Sequence, residues 1–141
     1  MHPRRFDQRH TIYLDVNYRP NSKWHLNVAW QYHSGWPYTE MVLRSFQQND
    51  GSTGYYSTYE DYNGARYNAF HRMDFRVNRY FYTSKGRFSA SVSLINVYNH
   101  GNEKDTVYHW NWVNDRPIVI SEKEYWFKLL PSIGLSWSWD H

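Results

Sequence analysis

Apolar and polar residues alternate one by one along most of this chain. In residues 24–33 one side reads Trp24, Leu26, Val28, Trp30 and Tyr32, and the other His25, Asn27, Ala29, Gln31 and His33. Upstream, Ile12, Leu14, Val16 and Tyr18 alternate with Tyr13, Asp15 and Asn17. Downstream, Met73, Phe75, Val77 and Phe81 alternate with Arg72, Asp74, Arg76 and Asn78, then Phe88, Ala90, Val92 and Leu94 with Ser89, Ser91 and Ser93. Tyr108, Trp110 and Trp112 interleave with His109 and Asn111, and Ile133, Leu135, Trp137 and Trp139 with Ser132, Gly134, Ser136 and Ser138. A period of two puts successive side chains on opposite faces of a strand, whereas a helix needs apolar residues three and four apart. With a poorer candidate at 118–126, the pattern predicts an all-β chain of about seven antiparallel strands.

The connections sort by length. Residues 20–23, 83–86 and 114–117 are short and rich in turn formers, and they alternate with longer links at 34–69, 100–105 and 123–130. Tight turns at one end and long loops at the other are expected of an up-and-down transmembrane β-barrel. The charges Asp15, Arg72, Asp74 and Arg76 then face a wet or plugged lumen. Arg79 interrupts the apolar face near a strand end, where a long cation reaches the interface. Tyr18, Trp24, Phe81 and Phe88 would form an interfacial girdle. With the short turns at the periplasm, the last strand ends there too. About seven strands is an odd number, and an open edge in lipid strands backbone polar groups at several kcal/mol each. Residues 1–141 are therefore expected to be one open piece of a larger barrel.

Composition adds a tension. The mean hydropathy is −0.90, yet aromatics make up 21% of the 141 residues, with 14 Tyr and 8 Trp. A barrel wall with a polar lumen accounts for both values, and so does a soluble, aromatic-rich carbohydrate-binding β-sandwich, so composition leaves both open. Cysteine is absent, which excludes disulfides, thiolate catalysis and cysteine-ligated metal. The net charge of +3 comes from scattered basic residues, a poor basis for nucleic-acid binding. No apolar run approaches the ~20 residues of a transmembrane helix. The first ten residues hold no signal-peptide-like apolar stretch, so a reading as an exported protein expects the chain to be either misassigned or incomplete.

Residues 132–139 resemble the C-terminal assembly signal of outer-membrane barrels, carried by Ser132, Gly134, Trp137 and Trp139; Asp140 and His141 run past the usual terminal aromatic. Other stretches resemble the closing part of TonB-dependent receptors. These are Asp7-Gln8-Arg9-His10 ahead of a strand, Ser34-Gly35-Trp36-Pro37-Tyr38-Thr39 at a strand exit, and the R-x-D strand Arg72-Met73-Asp74. Asn96-Val97-Tyr98-Asn99 at a strand end and Pro131-Ser132-Ile133-Gly134 before the final strand complete the set. The resemblance spans nearly the whole chain and argues against a porin or fatty-acid channel. It implies the last strands of a barrel of roughly twenty-two, in the outer membrane of a Gram-negative bacterium. Such a receptor takes up a scarce small molecule: a siderophore, cobalamin, glycan or metal chelate. Its implied partners are outer-membrane lipid, the remaining barrel strands and plug domain, the barrel assembly machinery, and TonB through the missing N-terminal part. By itself the piece would not transport.

The ligand-facing part is expected in residues 34–69, where Trp36, Tyr38, Tyr55, Tyr56 and Tyr59 offer rigid rings for sugar faces or planar chelates, with Tyr62 and Tyr67 nearby. For each ring, packing of the loop against its neighbours is the plainer role. His25 and His33 share a face but stand too far apart to chelate one metal, and His71, His100 and His109 lack close ligand partners in sequence. Glu60, Asp61 and Asp74 have no catalytic companion, and Ser34-Gly35 makes no nucleophile elbow. No catalytic residue, metal site or cofactor is expected, and the chain is not read as an enzyme. Arg72, Asp74 and Arg76, two residues apart on one face, are expected to form a charge ladder.

Overall fold

A computed structural model describes residues 3–139; Asp140 and His141 lie outside the described residues. The chain is all-β, and its ladders are antiparallel. Among the described residues eleven strands form: β1 Thr11–Asn21, β2 Trp24–His33, β3 Pro37–Tyr38, β4 Met41–Gln47, β5 Thr53–Tyr59, β6 Ala65–Arg66, β7 Phe70–Thr83, β8 Gly86–Ile95, β9 Glu103–Val113, β10 Arg116–Tyr125 and β11 Leu130–Trp139. They belong to two compact units. One holds His10–His33, Ala69–Asn102 and the chain from Phe127 onward; the other holds the segment ending at Arg9, Ser34–Asn68 and Glu103–Trp126.

The first unit is a five-stranded sheet of order β1-β2-β7-β8-β11. Its register joins five of the six alternating sets read from the sequence onto a single face; the set at 108–112 lies outside this sheet. Val16 lies opposite Val28, Val28 opposite Phe75, Val77 opposite Val92, and Val92 opposite Ile133. That face is apolar across all five strands but for Arg79 on β7. The reverse face is polar and tied by side chains. Asn27 Nδ2 donates to Asp15 Oδ1 (2.8 Å), Arg72 pairs with Asp74 (2.9 Å), and the Ser89 and Ser136 hydroxyls meet at 2.7 Å. The Arg72–Asp74 rung of the charge ladder thus forms.

The short turns at 22–23 and 84–85 close one end of this sheet, and both long excursions leave from the other. Gly86, at φ 140°, opens β8; a Cβ there would lie 2.2 Å from Ser138 O, so the turn admits only glycine. Among the described residues no hydrophobic residue is buried, and Ile133, Leu135 and Val16 are 80%, 68% and 60% exposed.

The expectation of about seven strands in one wall needs correction. β11 pairs directly with β8, from Leu130 opposite Ile95 to Trp139 opposite Gly86, and β9 and β10 pair only with each other. Residues 108–112 and 118–126 are therefore a hairpin within a single excursion running from β8 to β11. The turn expected at 114–117 is its tip, with Asn114 and Asp115 at φ 49° and 58°, as a two-residue type I′ turn requires. Direction along the sheet is unchanged because a hairpin contributes two strands, and β11 still runs toward the short turns.

Candidate functional site

The second unit is built on short pairings that local chemistry fixes. β3 pairs with β6, and β4 with β5. Gly35 packs against the backbone of residue 67 so closely that a Cβ would lie 1.7 Å from Tyr67 O, and Tyr67 N–H donates to Trp36 O (3.0 Å). Arg66 holds three partners: its Nη1 donates to Gly35 O (3.0 Å) and Asp7 O (2.9 Å), and its Nη2 pairs with the Asp7 carboxylate. A planar guanidinium suits such forked donation. Asn63, 5% exposed and at φ 55°, donates its side-chain amide to Pro3 O (2.7 Å) and its backbone N–H to the Thr39 hydroxyl oxygen (2.9 Å). At the tip of the β4–β5 hairpin, the Ser52 hydroxyl and then its N–H hold the Asp50 carboxyl below its ordinary range.

The base of the β9–β10 hairpin is anchored in the same way. The Glu103 side chain, 4% exposed, accepts from Asn68 N and Nδ2 (both 2.9 Å) and pairs with Lys123. Burial alone would raise the Glu103 carboxyl, but the Lys123 ammonium and the Asn68 donors outweigh it and lower it on balance. Hydrogen bonding to Glu103 raises Lys123 in turn.

These anchors frame a cavity of about 630 Å³. Trp36, Tyr38, Tyr59, Tyr62, Tyr67, Tyr108 and Phe6 supply its rings, and Arg5, Asn63, Lys104 and Asp105 most of its polar groups. Tyr38 stacks on Tyr67 with centroids 4.4 Å apart, and Tyr67 OH donates to Asp105 Oδ1 (3.1 Å). Burial pushes the phenols of Tyr67 and Tyr108 up, keeping both neutral hydrogen-bonding groups. Lys104 is engaged with Glu124 (3.1 Å) and sits 5.9 Å from the Trp126 ring. The arrangement can stack a flat or ring-shaped ligand and hydrogen-bond its rim.

Of the rings expected at a ligand site, Trp36, Tyr38 and Tyr59 border this cavity, and Tyr55 and Tyr56 do not. The latter two lie on β5 opposite Ser45 and Arg44, and Tyr56 tilts against Phe46 at 6.0 Å. Phe6, Asn63, Lys104, Asp105 and Tyr108 were not expected there. Tyr108 read as a wall residue; the signal against that was the charge run Glu103-Lys104-Asp105 leading into its strand, which puts charge on both faces.

The four assembly-signal positions lie on β11, Ser132 opposite Ser93, Gly134 opposite Ser91, Trp137 opposite Phe88 and Trp139 opposite Gly86. Trp137 adjoins Phe88 at 6.4 Å. Four histidines bond or stack within the sheet unit: His25 Nε2 bonds Asn17 Oδ1 (3.0 Å), His33 stacks on Phe70 (4.5 Å), and His71 stacks on His100 (3.8 Å); His109 Nε2 lies 3.7 Å from Glu122 Oε2 on the β9–β10 hairpin. Stacked rings do not converge their nitrogens on one point, and among the described residues no group of three or more His, Asp or Glu could hold a metal ion. Comparison with protein-family models, curated proteins and solved structures finds no match.

Proposed function

We propose that the chain is the C-terminal part of the wall of a TonB-dependent outer-membrane receptor, and that its excursions carry ligand-facing surface. The observation that carries this reading is the apolar face of the five-stranded sheet, exposed on β1 and β11 and nowhere fully buried on β2, β7 and β8, while the opposite face is a hydrogen-bonded polar network. Water penalises such a face, and lipid does not. Its height is suitable. From His71 to Arg79 the strand rises roughly 26 Å at about 3.3 Å per residue, or about 20 Å of depth at ~40° of tilt, near the ~25 Å apolar band of outer-membrane barrels. Both outer edges, β1 and β11, are unpaired within the sheet, as required of a segment that continues into further strands.

In this reading the 630 Å³ aromatic cavity contributes to capture of a small molecule, β11 is the strand offered to the assembly machinery, and the chain has no catalytic role. The plug and the contact with TonB belong to chain that precedes this piece. The soluble carbohydrate-binding sandwich has the same cavity in its favour, but it needs a second sheet over the apolar face with Trp30 and Trp110 in a sealed core, and Trp110 is 47% exposed.

The chain has no cysteine, so single-cysteine variants carry no background. An environment-sensitive fluorophore at position 28, 77 or 92 should turn bright and blue-shifted in lipid vesicles, while one at 27, 78 or 91 stays water-like. A detergent-free monodisperse protein without that alternation would sink the membrane reading and favour the sandwich.

A further inference from the structure

One residue contradicts the apolar face of the sheet. On β7 the outward series runs Met73, Phe75, Val77, Arg79, Phe81. Among the described residues no carboxylate lies within ion-pairing distance of Arg79. Its guanidinium instead lies 4.6 Å from the Trp24 ring centroid and 5.1 Å from that of Phe81. Trp24 is its register partner on β2, and Ala90, with only a methyl group, is its partner on β8. Ring contact of this kind holds the flat group in place and leaves the N–H donors at its edge for another acceptor. The residue is exposed and close to the short-turn end, where the apolar band meets polar residues.

We propose that Arg79, held between Trp24 and Phe81, binds the phosphate of an anionic phospholipid and so fixes the depth of the sheet in the bilayer. The inference rests on the membrane-wall reading above. The acceptor must be an oxyanion, because the free donors form a fork that matches phosphate oxygens. It must also be at headgroup depth, because the same side of β7 is apolar for three successive outward positions beyond Arg79. A phospholipid headgroup meets both conditions. Aromatic rings beside the cation are themselves favoured at that depth.

Arg76 provides an internal control: it is an exposed arginine on the same strand that points to the opposite, polar face. The full chain is floated with phosphatidylcholine vesicles, with and without phosphatidylglycerol. The native chain should prefer the anionic vesicles. Arg79→Gln should lose about fivefold of that preference, the contribution of one basic residue at such a surface, and Arg76→Gln clearly less. Arg79→Lys, which keeps the charge but not the fork, should fall between the native chain and Arg79→Gln, with an unchanged far-ultraviolet spectrum as the check on folding. Equal losses for the two glutamine variants would reduce the effect to net charge and overturn the site. Displacement by inorganic phosphate at constant ionic strength would assign it to free phosphate and overturn the lipid. A chain that floats with neither vesicle overturns the wall reading itself, and this inference with it.

Discussion

The two units use the same residue alphabet for different ends. In the sheet, apolar and polar residues are sorted by face, and five strands share one register. In the unit holding the cavity, three two-stranded pieces are joined by Arg66, Asn63 and Glu103, each making two or more hydrogen bonds. Alternation alone does not distinguish them, since β9 alternates as cleanly as β2. The difference lies in where charge is allowed. Charged residues of the sheet stay on the polar face except for Arg79 at its margin, whereas Glu122, Lys123 and Glu124 on β10 face Val107, Thr106 and Asp105 on β9, with charge on both sides. A strand charged on both faces has no apolar side to give to lipid.

Three substitutions or titrations should separate the units, and each sharpens the contrast only if its effect stays on one side. The largest effect is expected for Gly35→Ala. A Cβ 1.7 Å from a backbone oxygen forces the β3–β6 pairing apart, a loss of about 3 kcal/mol. Hydrogen exchange at the Tyr67 amide should rise accordingly while the amides of β2 and β7 keep their protection. Loss of protection in both would show that the units fold as one.

Asn96→Ala comes next. Asn96 is fully buried at φ 57°; its side chain donates to His100 O (2.8 Å) and Phe127 O (3.3 Å) and accepts from His100 N (3.1 Å). Removing it leaves buried polar groups unpaired, with an expected loss of about 2 kcal/mol read at the His100 amide. The Tyr67 amide should not respond.

The smallest effect is the pH dependence of the hairpin anchor. The Glu103 carboxyl is lowered in the folded chain, so its contribution is present above the unfolded carboxylate pKa and is lost as pH falls through the folded value. Lys123 is raised, so its share is complete below the unfolded lysine pKa and disappears as pH rises through the folded one. The Asn68 amide should therefore be protected between these limits and exposed outside them. The Ser89–Ser136 contact has no titrating group and should stay constant. A flat profile at Asn68 would remove the ion pair from the account of the anchor.

All five strands of the sheet were legible, because their core segments alternate without interruption and only one register puts each apolar set on one face. The hairpin β9–β10 was legible as strands but not as a separate piece, since pairing partners are not written in the periodicity of either strand. β3 and β6 were invisible: two residues carry no period, and their pairing depends on Gly35 and on Arg66, which reaches back to Asp7. At the cavity, ring content pointed to the correct stretch. It did not separate Tyr59 from Tyr55 and Tyr56, because which side of a hairpin faces a cavity is set by contacts distant in sequence. The stretches noted for their family resemblance acquire physical roles. Asp7 and Gly35 meet on Arg66, and Asp74 Oδ1 accepts from Asn96 N (2.9 Å).

The direct seam between β8 and β11 has a consequence for how such a chain can change. Asn96 reaches Phe127 O, and Asn99 Oδ1 accepts from Leu129 N (3.0 Å), so the two ends of the intervening segment are stapled together at its neck. Whatever lies beyond the neck can be lengthened, shortened or exchanged without shifting a single rung of the ladder beneath it. Inheritance can thus conserve the scaffold and graft new segments onto it, since the neck pins both ends whatever segment lies between.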